Sequence, residues 1–407
     1  MMPPFPITRA EISRSRLIGN FEYLRSLLAH AAPGKPGQRC QLLAVVKANA
    51  YGNGLSPCAP WLVQAGAKWL GVTSVEEGVA VRRLCPKARI LVMRGLLCDE
   101  AEALMEAQLT PTVWDAAQLD WLAEAAQRRA LAFGSVPVHL EIDTGMSRQG
   151  VGVADLAKFL NTLLNLPTLR LAGVYTHFAS AEMLDAEQNR QQRSAFRRAL
   201  EQIFAAGFHP QWIHAGSSAT ILAQQRESEC GLAQTWGAKG LIRPGIALYG
   251  YAPAFSGKRA KAAEQARSRL QPVLAWKTAI MSTRAVAAGT AVGYDATFVA
   301  PAAMRLALLP VGYADGLNRK LSGTTSSPGG HVLIHGEPAP IVGRVSMDLT
   351  VVDVSHIPNA AAGDEVVILG EQNGLRVTAD DHARWAETIP YEILCAISTR
   401  VPRVACE

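Results

Sequence analysis

The 407-residue sequence lacks the features of a membrane or secreted protein. No stretch approaches the roughly 20 uninterrupted apolar residues that a membrane-spanning helix needs. The opening residues, MMPPFPITRAEISRSRL, contain no apolar segment of the kind that signal peptides carry. We therefore expect a cytoplasmic protein that has no membrane partner.

Paired cysteines are also missing. The seven cysteines form no Cys-x-x-Cys pair, and their number is odd. Such a set favours reduced thiols in a cytoplasm and argues against a disulfide framework or a zinc site. The cysteines are Cys40, Cys58, Cys85, Cys98, Cys230, Cys395 and Cys406.

A strong excess of one charge is absent as well. The formal net charge of +6 is mild for this length, and the basic residues concentrate in one polar stretch, 257–269. Nucleic-acid patches usually contain interleaved aromatic side chains, and this stretch has none. We predict a solvated basic loop and no nucleic-acid partner. The concentrated residues are Lys258, Arg259, Lys261, Arg267 and Arg269.

Short apolar runs alternate with amphipathic segments up to residue 250. Helix-like segments such as VEEGVAVRRL separate strand-like runs, which is typical of a parallel (β/α)8 barrel of the TIM type. A doubly wound sheet is the alternative, but Lys47-Ala-Asn-Ala-Tyr51 follows the first strand instead of a Gly-x-Gly-x-x-Gly turn. The predicted strands are LLAVV (42–46), WLGVTS (69–74), ILVM (90–93), TPTVW (110–114), PVHLEI (137–142), LAGVYT (171–176), QWIHA (211–215) and PGIALYG (244–250).

A different pattern follows from about residue 270. Runs such as RLALLPVGYA, HVLIHG and EVVILG are short, rich in β-branched residues and interrupted by Gly, Pro and Asp. They predict a mostly antiparallel β domain. We therefore expect an α/β protein in which residues 1–255 form the barrel and residues 256–407 form the β domain, while the opening residues could pack with either.

Polar residues follow the predicted barrel strands, at the end where barrel active sites lie. Lys47 ends the first strand, Arg148 follows the fifth, His177 the sixth and Ser218 the seventh, while Arg243 opens the eighth. The segment GSSAT (216–220) and the backbone of Gly245 and Ile246 offer donors for a phosphate. A lysine opposite a phosphate site suits pyridoxal 5'-phosphate (PLP), although a strand-end lysine is more often only a solvated charge.

Motifs along the whole chain strengthen this interpretation. AVVKANAYGNG (44–54) resembles the PLP-lysine motif of alanine racemases, and further motifs resemble that family in the same order. We therefore identify the chain as a member of the alanine racemase family by resemblance. The further motifs are EIDTGMSRQG (141–150), THFASAE (176–182), HAGSSAT (214–220), IRPGIALYG (242–250), GTAVGYDATF (289–298), LPVGYADGLNR (309–319), GRVSMDLT (343–350), TIPYE (388–392) and RVPR (400–403).

The resemblance implies an isomerase that interconverts L- and D-alanine with PLP, supplying D-alanine as a peptidoglycan precursor. Lys47 would hold the cofactor as a Schiff base and act as one base. Tyr294 would be the second base, delivered by the partner subunit of a homodimer. The remaining implied roles are phosphate binding by Tyr51, Ser218, Gly245, Ile246 and Tyr391, contact with the pyridine nitrogen by Arg243, substrate carboxylate binding by Arg148 and the Met347 backbone, and supporting contacts by His177, His214 and Asp348.

These residue types suit racemisation. A proton must leave one face of the substrate Cα and another must arrive on the opposite face, so two bases are a direct solution. Lysine and tyrosine ordinarily have pKa values of about 10.4 and 10, so both need neighbours that lower them. We expect positive potential from Arg148, Arg243 and His177.

The sequence departs from the family pattern at Glu141, where members commonly carry a carbamylated lysine. We expect Glu141 to replace that anion and to orient Arg148, directly or through a water; the alternative is a solvated, outward-facing side chain. Three further departures each keep a small polar group, so we expect altered tuning and retained activity. They are Asn53 for histidine, Ser217 for asparagine and Ser346 for cysteine.

Three other functions stay open at this point. A racemase acting on serine or on several small amino acids differs only in substrate breadth. A PLP decarboxylase with the same two-domain build would use a cysteine in the second domain, where this chain matches the racemase motifs instead. A PLP carrier built on the barrel alone would not need the second domain or Tyr294.

Overall fold

The computed structural model describes residues 7–29, 40–223 and 226–407, with the backbone alone for 226–230. Its strands and helices are numbered in chain order. The strands are β1 (Arg9–Ser13), β2 (Cys40–Val45), β3 (Trp69–Val72), β4 (Arg89–Val92), β5 (Thr110–Val113), β6 (Val136–Asp143), β7 (Val151–Gly152), β8 (Leu169–Tyr175), β9 (Trp212–Ser217), β10 (Lys239–Arg243), β11 (Leu274–Ala279), β12 (Ser282–Val286), β13 (Ala291–Val292), β14 (Phe298–Val299), β15 (Met304–Leu309), β16 (His331–Ile334), β17 (Glu337–Pro340), β18 (Thr350–Asp353), β19 (Glu365–Gln372), β20 (Leu375–Val377) and β21 (Arg403–Cys406).

The α-helices connect and flank these strands. Several begin as their sequences dictate: Ser74 accepts a hydrogen bond from the Glu77 N–H at the start of α3, and Asp115 caps α5 in the same way. The helices are α1 (Arg14–Ala29), α2 (Leu55–Gln64), α3 (Val75–Leu84), α4 (Ala101–Glu106), α5 (Ala116–Arg128), α6 (Leu156–Leu164), α7 (Glu187–Ala205), α8 (Ser218–Leu222), α9 (Arg226–Thr235), α10 (Ala260–Arg267), α11 (Ala379–Ala386) and α12 (Pro390–Ala396).

Eight parallel strands close into a barrel, which confirms the predicted fold. In spatial order they are β2, β3, β4, β5, β6, β8, β9 and β10, and β10 pairs again with β2. Strands such as β3 and β5 are buried along their whole length, because barrel strands face the core inside and helices outside. The active-site end of such a barrel is the one at which the strands end.

The second half of the chain forms the predicted β-rich part. Its main sheet has the order β17-β16-β19-β11-β1-β21 and is mostly antiparallel, with β1 and β21 as a parallel pair. A smaller antiparallel sheet has the order β12-β15-β18. Residues of β11 alternate between buried and half-buried, as expected of a sheet with one covered face.

The chain divides into two compact units. One contains the described residues up to Arg16, the segment Tyr51–Gly54 and Pro272–Glu407, and the other contains Leu17–Ala50 and Leu55–Gln271. The predicted boundary lay between residues 255 and 256, and the domain boundary itself stays a prediction. The opening strand β1 belongs to the main sheet of the β-rich unit.

Two local predictions were wrong. The eighth strand is β10, whereas Ile246–Tyr249 of the run PGIALYG forms a buried 3-10 turn, so burial rather than strand structure explains its apolar residues. Arg243 therefore ends the eighth strand instead of opening it. The predicted basic loop contains helix α10, because Ala263 and Ala266 give it a buried face.

The cysteines differ from expectation at one position. Cys40 is disulfide-bonded, so the prediction of reduced thiols is wrong there. Free thiols are described at Cys58, Cys85, Cys98, Cys395 and Cys406, and the side chain of Cys230 lies outside the described residues. Among the described helices, none combines the length and apolar character needed to cross a bilayer.

Candidate active site

Lys47 lies directly after β2, at the end of a barrel strand, and a strained turn follows it. Ala48, Asn49, Ala50 and Tyr51 have φ values of 51°, 53°, 56° and 53°, which form a left-handed helical turn. L-residues lose about 1–2 kcal/mol each in this conformation. Such strain persists only where surrounding contacts enforce it, and it is common at functional sites.

Side-chain oxygens hold the backbone of this turn. The Glu77 carboxylate accepts hydrogen bonds from the Ala48 N–H and from the Thr73 N–H, each at 2.7 Å. The Asn49 side chain accepts from the Leu55 N–H at 2.7 Å. The carboxylate thus ties the residue after Lys47 to the end of the neighbouring strand β3.

Arg243 ends β10 with its guanidinium inside the barrel, where the residue is only 5% exposed. It donates to Nδ1 of His214 at 2.8 Å and lies 3.2 Å from Nδ1 of His177. It also donates to the carbonyl oxygens of Thr176 at 2.8 Å and Ala215 at 3.3 Å. These acceptors fix a permanent positive charge at the mouth of the barrel.

Three predicted site residues, Lys47, Arg148 and Arg243, place their charges around the ring of His177. Burial, together with the positive charges of Arg243, Arg148 and Lys47, lowers its pKa to about 3. The ring is therefore neutral near pH 7 and adds no positive potential, so that expectation was wrong. Positive potential on this ring comes from Arg243, Arg148 and Lys47.

Ser218 begins α8 directly after β9 and lies beside the turn that follows β10. Its hydroxyl accepts hydrogen bonds from the N–H of Gly245 at 3.0 Å and of Ala247 at 3.3 Å. Ile246 lies between them and is buried. A hydroxyl and two backbone N–H groups in one place are the kind of donors that bind phosphate.

Glu141 on β6 faces the interior, with 3% of its surface exposed. The amide of Gln149 donates to it, and so does the Tyr175 hydroxyl, which lies 3.1 Å from the hydroxyl of Thr112. Burial raises the pKa of Glu141, and these hydrogen bonds partly offset that rise. The solvated, outward-facing alternative is therefore excluded.

The loop that carries Arg148 is shaped by Asp143. One carboxylate oxygen of Asp143 accepts from the N–H groups of Gly145, Met146 and Ser147 at 2.9, 3.0 and 3.1 Å. Arg148 is exposed and forms no ion pair within the described part of the chain. Glu141 reaches it only by charge attraction and through the neighbouring Gln149, so its orienting role stays a prediction.

The remaining predicted residues belong to the β-rich unit. Tyr51 and Tyr391 approach with ring centroids 6.1 Å apart. Gly52, directly after Tyr51, packs so tightly that a Cβ there would lie 2.0 Å from the Leu394 carbonyl oxygen. Asn53, which replaces the usual histidine, is buried and donates to the Tyr51 carbonyl at 3.0 Å.

Tyr294 and Met347 are unusually exposed for large side chains, at 66% and 54%. Tyr294 begins a tight turn in which Asp295 has a φ of 62° and pairs with Arg344 at 2.9 Å. The Met347 carbonyl accepts from the Ala314 N–H at 3.0 Å. The Met347 N–H donates to no backbone carbonyl of the described residues, so it remains a donor for a ligand.

Arg400 connects the motif that contains Met347 (343–350) with the motif LPVGYADGLNR (309–319). It pairs with Asp348 at 2.8 Å and with Asp315 at 3.4 Å. The carbonyl of Ser346 accepts from the Tyr313 N–H at 3.0 Å. Asp348 thus acts through Arg400 on the loop that contains Tyr313.

Sequence reasoning missed several residues that contact the site. His139 was missed although it lies two residues before Glu141 on β6, a spacing that places both side chains on one face of the strand. Glu77 lacked such a signal, because an acidic residue in the first turn of a helix is ordinary. Tyr175 and Gln149 had none either, since their partners lie on distant segments.

The comparisons with known proteins cover nearly all of this chain. Family models described as "Alanine racemase, N-terminal domain" and "Alanine racemase, C-terminal domain" match residues 12–253 and 273–405. The alanine racemase of Halothermothrix orenii is 37% identical over 397 residues, covering 97% of this chain and 96% of that protein. The structure of alanine racemase from D-cycloserine-producing Streptomyces lavendulae has a TM-score of 0.87 and 32% identity, covering 100% of this chain and 98% of that one. Alanine racemase from Bartonella henselae with covalently bound pyridoxal phosphate has a TM-score of 0.80 and 26% identity, covering 99% and 100%.

Proposed function

The chain belongs to the alanine racemase family, and on that premise we propose that it interconverts L- and D-alanine by a two-base reaction with PLP as its cofactor. The family resemblance predicted from the sequence is confirmed, and the protein is an enzyme of the racemase class. The observation that carries the proposal is the cluster of Lys47, Arg148 and Arg243 around the neutral ring of His177.

The residues at the barrel mouth fit PLP. Lys47 offers an amine for its aldehyde, Ser218 with the backbone N–H of Gly245 offers donors for its phosphate, and Arg243 offers a fixed cation to its pyridine nitrogen. Tyr51, Ile246 and Tyr391 would complete the phosphate site. When bound, PLP would supply the electron-accepting ring that stabilises negative charge at the substrate Cα.

Lys47 and Tyr294 would move the protons. Lys47 takes or returns a proton on one face of the Cα, and Tyr294 does so on the other. Tyr294 is exposed in the single chain, whereas a phenol acting as a base needs a site closed to water. Delivery of Tyr294 by a partner subunit meets this need, so the proposal includes a homodimer with shared sites.

Arg148 and the Met347 N–H would bind the substrate carboxylate. Asp143 holds the Arg148 loop through three backbone N–H groups. His177 would link Arg243 to Tyr294: because Arg243 donates to His177 Nδ1, the neutral ring carries its proton on Nε2. Asp348 would keep the Met347 segment in place through Arg400.

The role of Lys47 is tested by reduction and peptide mapping. Purified protein incubated with PLP and then with borohydride should carry the phosphopyridoxyl group on the peptide that contains Lys47. The control is Lys68→Arg, which should leave the labelled peptide unchanged. Labelling of another lysine, or no labelling, would contradict the assignment of Lys47.

The role of Tyr294 is tested by substitution. Tyr294→Phe removes one proton-transferring group and should lower kcat by roughly 10²–10⁴-fold, the usual contribution of such a group. Tyr23→Phe, on the outer helix α1, is the matched control and should keep its activity. Full activity of the Tyr294 variant in both directions would rule out the two-base proposal.

Shared sites are tested by mixing inactive chains. In a hybrid of Lys47→Ala and Tyr294→Phe subunits, one site carries both substitutions and the other carries neither. Refolding the two variants together should therefore restore part of the activity that each lacks alone. Failure to restore any activity, with dimers present by light scattering, would place both bases in one chain.

Substrate breadth and physiological role complete the proposal. We propose alanine as the substrate, and a panel of L-amino acids assayed for racemisation distinguishes it from serine or broader specificity.

We also propose a cytoplasmic location and a supply of D-alanine for peptidoglycan. Rescue of a bacterial strain that requires D-alanine for growth would support this role, and absence of rescue by an expressed, active enzyme would oppose it.

A further inference from the structure

A line of hydrogen-bonded side chains extends from the barrel mouth into its interior. Arg243 on β10 donates to Nδ1 of His214 on β9 at 2.8 Å, and Nε2 of His214 lies 2.9 Å from Nδ1 of His139 on β6. All three residues are buried. His139 is not among the residues assigned a role above.

The direction of these hydrogen bonds is fixed by chemistry. A guanidinium only donates, so Nδ1 of His214 must be the acceptor. A neutral imidazole carries one proton, which then lies on Nε2 of His214 and is donated to Nδ1 of His139. By the same argument His139 carries its own proton on Nε2, which has no hydrogen-bond partner within the described residues.

Gly173 on β8 leaves the space that the contact between His139 and His214 occupies. Strand β8 runs between β6 and β9, so a side chain at Gly173 would separate His139 from His214. A Cβ at Gly173 would lie 2.5–2.6 Å from three atoms of the His139 ring. The ring of Trp69, with its centroid 5.5 Å away, packs against His139.

We propose that His139 is a positioning residue for Arg243: by accepting the His214 Nε2–H, it holds His214 in the tautomer whose Nδ1 accepts from Arg243. The consequence for catalysis rests on the proposed function, in which Arg243 faces the pyridine nitrogen. The tautomer itself does not depend on that function.

Burial and the surrounding positive charges keep both imidazoles neutral. Burial, with repulsion from Arg243 and Arg170, lowers the pKa of His139 to about 3, and burial, with Arg243 and His139, lowers the pKa of His214 well below its usual value. The facing carboxylate is Glu141, which reaches the His214 ring through Tyr175, stacked on it at 4.6 Å. A neutral pair is the only state in which each imidazole can accept at Nδ1.

The tautomers are measurable in the holoenzyme by ¹⁵N NMR of labelled histidine, with signals assigned from single substitutions. We expect His214 and His139 to be neutral Nε2–H tautomers throughout the range from about pH 8 to pH 5.5, whereas exposed histidines titrate there. A proton on Nδ1 of His214, or titration of His214 in this range, would overturn the proposal without any variant having to fold.

Substitutions then test the dependence on His139. In His139→Leu the His214 Nε2–H loses its acceptor, so the His214 signal should shift and kcat should fall about 10-fold with a smaller change in KM. His139→Gln offers an oxygen acceptor, so the His214 signal and kcat should both return most of the way to their wild-type values. The control is His382→Leu, which removes a buried histidine that donates to the Ile368 carbonyl in the other unit. It should leave the His214 signal and kcat unchanged.

The outcomes separate the two proposals. An unchanged His214 signal in folded His139→Leu would reject the positioning role of His139, whatever the enzyme catalyses. A shifted signal in a protein that does not racemise alanine would keep the positioning role and reject the proposed function. Loss of activity in His139→Leu and His139→Gln alike, with His214 unchanged, would indicate only a packing role.

Discussion

Individual glycines determine how closely the chain can pack around the candidate site. Gly52 has a φ of +78° and lies against the Leu394 carbonyl, just after the left-handed turn that follows Lys47. Any other residue there would meet two separate penalties, one from the backbone conformation and one from the contact. The two penalties can be separated by experiment.

Gly52→Ala and Gly374→Ala form a matched pair. Gly374 has a φ of +85° and no atom within 4 Å of an added Cβ, so its substitution should cost only about 1 kcal/mol of unfolding free energy. Gly52→Ala should cost about 1–3 kcal/mol more, because its Cβ overlaps the Leu394 carbonyl. Urea unfolding measures both, and equal losses would show that the close contact relaxes freely.

Single residues also show what sequence alone could predict. Lys47 was placed correctly at a strand end, because strand order and barrel geometry determine which end carries the site. The neutral state of His177 was not predictable, because it depends on burial beside Arg243, which only the folded chain creates. The contact of Glu141 with Gln149 likewise was not predictable, because a strand pattern shows which face a residue occupies but not its partner on another segment.

Among the structural elements, the left-handed turn Ala48–Tyr51 stands out. Only Asn49 belongs to a residue type that tolerates this conformation well, so local preference cannot explain the turn. The turn is stabilised by the hydrogen bond from the Ala48 N–H to Glu77 and by the hydrogen bond from the Leu55 N–H to the Asn49 side chain. We infer that the direction of the Lys47 side chain depends on these bonds.

Glu77→Gln tests this dependence. The amide leaves one acceptor for two N–H groups and points a donor at the other, so the unfolding free energy should fall by about 2 kcal/mol. Hydrogen exchange of the Ala48 and Thr73 amides should accelerate in native buffer. Glu76→Gln, at the exposed neighbouring position, should change stability by less than about 1 kcal/mol. Unchanged exchange in Glu77→Gln would show that other contacts hold the turn.

Element prediction succeeded where one pattern had one explanation. The segment VEEGVAVRRL forms α3 over its whole length because its cap, its charges and its apolar spacing agree. The run PGIALYG did not form a strand, since a buried turn and a buried strand have the same apolar composition. The basic stretch became α10 because two small alanines, which carry little hydrophobic signal, pack inward.

At the scale of the whole molecule, buried neutral histidines couple folding to pH. Burial lowers the pKa to about 3 in His139 and His177 and to about 4 in His382, and it lowers that of His214 well below its usual value. In the unfolded chain these rings have a pKa near 6.5. Below that pH the unfolded state therefore binds more protons than the folded state.

Stability should consequently fall as the pH falls from about 6.5 towards 4. In that range each of these histidines lowers the unfolding free energy by about 1.4 kcal/mol for each pH unit of acidification. Above pH 6.5 the stabilisation from the neutral histidines is fully present. Urea unfolding at several pH values measures the slope. His382→Phe should reduce this slope by about 1.4 kcal/mol per pH unit. An unfolding free energy that stays constant or rises as the pH falls from 6.5 to 5 would contradict the pKa directions.

The central claim concerns the reaction of the whole enzyme, and chiral chromatography of alanine tests it most directly. Purified protein supplied with PLP and L-alanine should produce D-alanine until the two are present in about equal amounts, because enantiomers have equal free energy, and D-alanine should reach the same mixture. L-alanine that stays unchanged, or that is consumed to a product other than D-alanine, would contradict the account.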